Sequence, residues 1–157
     1  MSRLRVVGLA KRHGRAPVLK GVTFEAAAST VVGLVGPNGS GKSTLGFAIM
    51  GHPGYDVTSG SVMLNGEDVL AMEPNQRARG GIFLAFQRPM SIPGVKMADF
   101  LRHATTNVRR PDRKEGEELI AMRDFRKELK AKMAQLRMDA EFARRYVNDG
   151  FSGGEMK

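Results

Sequence analysis

The sequence predicts an α/β fold, and three observations carry that prediction. An apolar run, Val31-Val32-Gly33-Leu34-Val35, enters the glycine-rich stretch Gly36-Pro37-Asn38-Gly39-Ser40-Gly41-Lys42-Ser43-Thr44, and a helix-compatible run, Leu45 to Met50, leaves it. A second apolar run, Ile82 to Phe86, is continuous rather than alternating, as in a strand buried on both faces. From Met97 onward the apolar residues recur at helical spacing.

The glycine-rich stretch fits G-x-x-x-x-G-K-[ST], a phosphate-binding loop, in its strand–loop–helix context. Glycine lets the backbone take positive φ, so that successive N–H groups point inward as an anion nest. The helix that follows aims its positive dipole end at the same point. Lys42 adds a full charge for the β- and γ-phosphates, and the Ser43 hydroxyl stands where Mg²⁺ binds.

The other elements follow in order. Leu4 to Leu9 is a short β-rich run, and Lys11 to Pro17 reads as a polar loop. In the strand expected over Val18 to Glu25, Val22 and Phe24 alternate with Thr23 and Glu25. The apolar run Val31 to Val35 is the third strand. Gly51, His52, Pro53 and Gly54 stop the helix after the loop. Val62 and Leu64 alternate before Asn65-Gly66, a hairpin signal. Gln87 ends the strand expected over 82–86, at the edge of a parallel sheet where binding groups often sit. Met97, Phe100, Leu101, Ala104 and Val108 form one helical stripe. Pro111-Asp112 breaks it, and Asp112 with Glu115 resembles a capping box. Leu119, Met122, Phe125, Leu129, Met133 and Leu136 make a second stripe, and a short third helix is expected near 140–146. These stripes read as core packing.

Composition narrows the function. The chain has 157 residues, 41% hydrophobic and 26% charged, enough for one domain with a core. It has no cysteine, which excludes disulfides and thiolate metal sites, and its three histidines lack ligand spacing. The formal charge of +9 raises nucleic acid as a partner. From Arg102 to Arg145, however, 13 Lys/Arg are interleaved with 8 Asp/Glu, and only 6% of the chain is aromatic. That pattern reads as a solvated helical face. No apolar run reaches the ~18 residues of a membrane span, and the N-terminus lacks a secretory h-region. Neither nucleic acid nor direct membrane insertion is expected, and the chain reads as cytoplasmic.

The last residues, Phe151-Ser152-Gly153-Gly154-Glu155, add a second glycine pair before a possible helix start. A phosphate loop, a glutamine ending a buried strand, a helical insert and then Ser-Gly-Gly-Glu, in that order along the whole chain, resemble the ABC-type ATPases. Gly54 to Gly60, Gly81 to Gln87, Ile92-Pro93-Gly94-Val95 and Phe151 to Glu155 narrow the resemblance to SufC-type ATPases of the Suf iron–sulfur cluster assembly system.

The resemblance implies a P-loop NTPase core with an antiparallel β portion and an α-helical insert. Its parts are a nucleotide-binding core over 1–96, a helical subdomain over 97–149 and the signature motif over 150–157. It implies ATP hydrolysis with Mg²⁺. Gly36 to Thr44 would be the Walker A motif, and Gln87 the Q-loop glutamine that senses Mg²⁺ and the attacking water. Ser152, Gly153 and Gly154 would contact the γ-phosphate held by a second ATPase protomer. Partners would be scaffold proteins like SufB and SufD, docking on Pro89, Met90, Ile92, Pro93 and Val95. His13 falls where many relatives carry an adenine-stacking aromatic; stacking and a plain loop role both stay open, and no reader of the adenine edge is visible. The resemblance further implies a strand ending in an Asp-Glu pair after the signature motif. None occurs here, so the sequence is expected to be a fragment lacking the C-terminal part of the core. Three other readings stay open: the ATP-binding subunit of a membrane transporter, a nucleic-acid-associated ATP-binding module, and an inert fragment with a phosphate site.

Overall fold

The computed structural model describes residues 3–87 and 89–151. The chain divides into two compact units, Met1–Leu84 and Ala85–Lys157.

The first unit is built on an antiparallel sheet of order β2-β1-β3-β4. Strands β1 (Leu4–His13) and β2 (Ala16–Ala26) form a long hairpin. The polar stretch expected as a loop is thus mostly strand: Arg12 pairs with Pro17 and His13 with Ala16. Polar side chains do not prevent pairing at an exposed hairpin end. Strand β3 (Ser59–Leu64) pairs with β1 on its other side. Asn65 and Gly66, at φ 55° and 93°, then turn the chain into the short β4 (Glu67–Asp68), the positive-φ pair that two-residue hairpins require. Val6, Leu9 and Leu19 of the hairpin, Val62 of β3, and Val69 form a core with Leu45, Ala48 and Ile49 of helix α1 (Lys42–Met50). A register irregularity between Val6 and Leu9 lets both reach the core, and an i, i+3, i+4 stripe supplies the helical members. Helix α2 (Pro74–Arg79) has no counterpart in the sequence reading. Its signals are a Glu73/Gln76 capping box and a proline in the first turn.

At Gly60 β3 passes close to the β1 backbone. Its φ is 100°, and a Cβ there would stand 2.5 Å from the Gly8 carbonyl oxygen. Gly8 itself sits in a register irregularity of β1.

Two expected strands are absent. Val31 to Val35 and Ile82 to Phe86 carry no strand pairing among the described residues, and Val31 and Val35 are 99% exposed. Apolar, β-branched composition favours a strand only where another strand offers its N–H and C=O groups. No described segment does so for either run.

In the second unit, strand β5 (Ile92–Lys96) pairs antiparallel with the two-residue β6 (Tyr146–Val147). Helices α3 (Met97–Arg109) and α4 (Met122–Gln135) follow the two apolar stripes. A 3-10 helix over Ala140–Arg144, capped by the Asp139 carboxylate on the Glu141 N–H, is the short third helix. The capping box expected at Asp112 does not start a helix. Residues 110–121 are turns and irregular chain, and α4 begins at Met122. The α3 stripe is also not the buried face: Phe100 is 41% exposed, while Thr106 is fully buried. The Thr106 hydroxyl donates to the Arg102 carbonyl at 2.7 Å and accepts from the Ile120 N–H at 3.2 Å. Arg102 Nε donates to the Ile120 carbonyl at 2.9 Å, so α3 is tied to the chain entering α4. Replacing Thr106 by Val keeps the shape but leaves the Ile120 N–H without this acceptor. The expected loss is about 1–3 kcal/mol, read as a lower urea midpoint, because a buried unmet donor forfeits its hydration. An unchanged midpoint would mean that water or another acceptor replaces the hydroxyl.

Candidate functional site

The nine residues Gly36 to Thr44 lie together in the first unit, wrapped onto the N-terminus of α1. Gly41 is the helix N-cap and has φ 95°. A Cβ on it would meet Leu19 Cδ2 at 3.0 Å and the Val18 carbonyl oxygen at 3.1 Å. Both the backbone angle and the approach of β2 therefore require glycine. A Cβ on Gly36 would meet Ser40 Oγ at 2.8 Å, so the loop also closes tightly on itself.

Helix α1 has no side-chain cap and no acidic residue in its first turn. It begins instead with a lysine, the wrong charge for the positive end of a helix dipole. The first N–H groups of any helix lack intrahelical partners. Here neither a carboxylate nor a hydroxyl meets them among the described residues. Lys42 Nζ folds back over the loop, donating to the Gly36 and Pro37 carbonyls at 2.7 Å each and approaching Ser40 Oγ at 3.5 Å. Uncapped amides, a dipole end and an ammonium converge on one exposed loop. The donor set fits an anion with several oxygens, such as a polyphosphate. Two cavities border the loop. One of about 420 Å³ lies against β2, lined by Pro17, Val18, Lys20, Gly21, Val22, Gly39 and Ser40. One of about 190 Å³ reaches Leu34, Lys42 and Leu45.

The remaining site residues of the sequence reading lie in other parts of the chain. Gln87 is exposed and lies in the second unit, at a bend and without the strand expected before it. Ser152, Gly153 and Gly154 lie outside the described residues. His13 ends β1 on the exposed tip of the hairpin. Among the described residues no three or more His, Asp or Glu side chains are gathered as a metal site. A cation at this loop would rest on hydroxyl and phosphate oxygens, as at Ser43.

The comparison with known proteins bears directly on this loop. Residues 19–157 match the ABC transporter family. The chain belongs to that family. Vegetative protein 296 of Bacillus subtilis (strain 168) is 53% identical over 140 residues, covering 89% of this chain and 52% of the relative. The probable ATP-dependent transporter ycf16 of Pyropia yezoensis is 43% identical over 154 residues, covering 98% of this chain and 60% of the relative. The chain thus spans about half to three-fifths of the length of these relatives. A crystal structure of a nucleotide-free ATP-binding cassette from an ABC transporter superposes with a TM-score of 0.71 at 26% identity, over 99% of this chain and 61% of that one. The α/β fold of the ABC cassette, with its antiparallel β portion and helices, is therefore established.

Sequence reasoning did not single out three residues that border the loop or its helix. Val18 and Leu19 of β2 stand close against Gly41, and no local pattern marks them for that place. Arg77 of α2 is only 6% exposed and grips the far end of α1. Its signal was the proline and capping box that start α2.

Proposed function

We propose that this ABC family chain is part of an ATPase subunit of the Suf iron–sulfur cluster assembly type, which hydrolyses ATP to move a scaffold complex. The observation that carries the nucleotide part is the convergence of Lys42 and the uncapped α1 N-terminus on the glycine loop. In this reading the backbone of Gly36, Pro37, Asn38, Gly39, Ser40 and Gly41 cradles the phosphates, and Lys42 neutralises the β/γ oxygens. Ser43 and Thr44 open the helix, and Ser43 offers its hydroxyl to Mg²⁺, which would offset phosphate charge when bound. Gln87 orients water near the metal. Ser152, Gly153 and Gly154 reach the nucleotide of a second protomer. The division 1–96, 97–149 and 150–157 into core, helical subdomain and signature, and a cytoplasmic location, belong to the same proposal.

The Suf part rests on the resemblance of Gly54 to Gly60, Gly81 to Gln87 and Ile92 to Val95. A second reading, the ATP-binding subunit of a membrane transporter, is favoured by the name of the Pyropia relative, a probable ATP-dependent transporter. The partner decides between them. Met90 is 81% exposed and Ile92, the first residue of β5, is 36% exposed, so both reach the surface of this unit. A protein containing this chain is expected to co-purify with SufB- and SufD-like scaffold proteins, and Met90→Asp with Ile92→Asp to abolish the complex. Truncating a hot-spot anchor at an interface costs about 2 kcal/mol or more. An unchanged complex with a folded double variant would remove the docking role. Selective recovery of a membrane subunit would favour the transporter reading.

A further inference from the structure

Helix α1 is secured at its C-terminus by a residue from outside it. Gly51 closes the helix in the left-handed conformation, its N–H reaching the Ala48 and Phe47 carbonyls. His52 N–H donates to the Phe47 carbonyl at 2.9 Å. The last turn carries no basic residue of its own. Arg77 fills that place from α2. One guanidinium nitrogen donates to the carbonyls of both Ala48, at 3.0 Å, and Ile49, at 2.9 Å. Arg77 Nε donates to the Met72 carbonyl at 2.8 Å, and the other terminal nitrogen to the Leu70 carbonyl at 3.3 Å. One planar group thus joins the end of α1 to the chain leaving β4. Among the described residues no carboxylate forms a salt bridge with Arg77. Its charge is met by four carbonyls and by the negative end of the α1 dipole. Burial draws the guanidinium below its ordinary value, with Glu73 and then Asp68 acting the other way. Arginine keeps its proton regardless.

We infer that Arg77 is a positioning residue for the phosphate loop, acting through α1. The helix is 9 residues long, so its two ends lie roughly 13 Å apart along one rigid rod. Its N-terminal turn presents the loop amides, and its C-terminal turn is held by Arg77. Leu45, Ala48 and Ile49 rest on the core, but packed helices still undergo small shear displacements. Directional bonds at the C-terminal end remove that freedom. Gly51 is shaped to the same clamp, because a Cβ on it would stand 2.7 Å from the Arg77 guanidinium carbon. Lysine could not replace the arginine fully: a single ammonium cannot reach both the α1 carbonyls and those of Met72 and Leu70.

The inference rests on the nucleotide-binding reading of the loop, and the test separates the two. Arg77→Met, Arg77→Lys and Lys42→Ala are compared with wild type by amide hydrogen exchange and by titration with a fluorescent Mg-ATP analogue. In Arg77→Met the α1 amides from Leu45 to Met50 are expected to exchange at least about tenfold faster, while β1 and β2 keep their protection. Nucleotide affinity is expected to fall roughly tenfold, since small displacements of a binding element are costly. Arg77→Lys should recover part of both. Unchanged α1 exchange overturns the inference, as does loss of protection in α1 and the strands together without recovery in the lysine variant. Faster α1 exchange with wild-type affinity also overturns it, provided Lys42→Ala weakens binding. If Lys42→Ala binds like wild type, the nucleotide reading fails, while the exchange result still decides the clamp. Should Arg77→Met fail to fold, Arg77→Lys decides alone, with wild-type exchange and affinity counting against the clamp.

Discussion

Lys42→Ala is expected to weaken binding of a fluorescent Mg-ATP analogue by about 10- to 100-fold while leaving the urea midpoint nearly unchanged. The binding loss follows from the charge. An ammonium on phosphate oxygens is a charge-assisted bond worth roughly 1.5–3 kcal/mol, and about 1.4 kcal/mol is a factor of ten. The range stops short of the full value because Lys42 already donates to the Gly36 and Pro37 carbonyls, and those bonds are exchanged for phosphate contacts. The small stability change follows from exposure. Both carbonyls lie on an exposed loop, so water replaces the lysine at little cost. Removing a cation from the first turn of α1 also relieves an unfavourable interaction with the helix dipole. Lys42→Arg keeps the charge but substitutes a larger planar fork, so it should rescue binding only in part. Equal affinities of wild type and Lys42→Ala would remove Lys42 from the site.

Gly60→Ala is expected to destabilise the first unit by about 3 kcal/mol or more. Two terms add. A non-glycine residue at φ 100° holds strain of about 1–3 kcal/mol. The new Cβ would also stand 2.5 Å from Gly8 O, 2.6 Å from Gly8 C and 2.6 Å from Leu9 Cα. All three are backbone atoms, which cannot rotate aside, so β1 and β3 must separate where Leu9 and Val62 are fully buried. Gly21→Ala is the matched control. Its φ is 83°, but nothing lies within 4 Å of the added carbon, so only the strain remains. Urea unfolding should therefore lower the midpoint much further for Gly60→Ala than for Gly21→Ala. Equal shifts would mean that backbone angle alone, and not the approach of β1, requires glycine at 60.

What could be read in advance was chemistry that depends on near neighbours in the chain. The phosphate loop needs glycines at set offsets and a lysine and hydroxyl at the helix start, and all lie within Gly36 to Thr44. The Asn65-Gly66 turn needs two residues that tolerate positive φ, and they are adjacent. The two helical stripes, with Pro111 between them, place α3 and α4 because a helix closes its hydrogen bonds within itself.

Partners distant in sequence decided the rest. Val31 to Val35 and Ile82 to Phe86 have strand composition, yet a strand depends on a partner for its N–H and C=O groups, and no described strand pairs with either run. On α3 the spacing marked an apolar stripe as the inner face, but the hydroxyl of Thr106 found two backbone partners and took the buried place, leaving Phe100 partly exposed. Nothing in the sequence singles out Arg77. Only tertiary structure brings it to the Ala48 and Ile49 carbonyls, 29 and 28 positions earlier in the chain. The sequence by itself determined the groups that could bind an anion and the local turns that present them. Tertiary structure alone decided what holds those groups still, because burial and pairing belong to two segments at once and neither segment encodes the other.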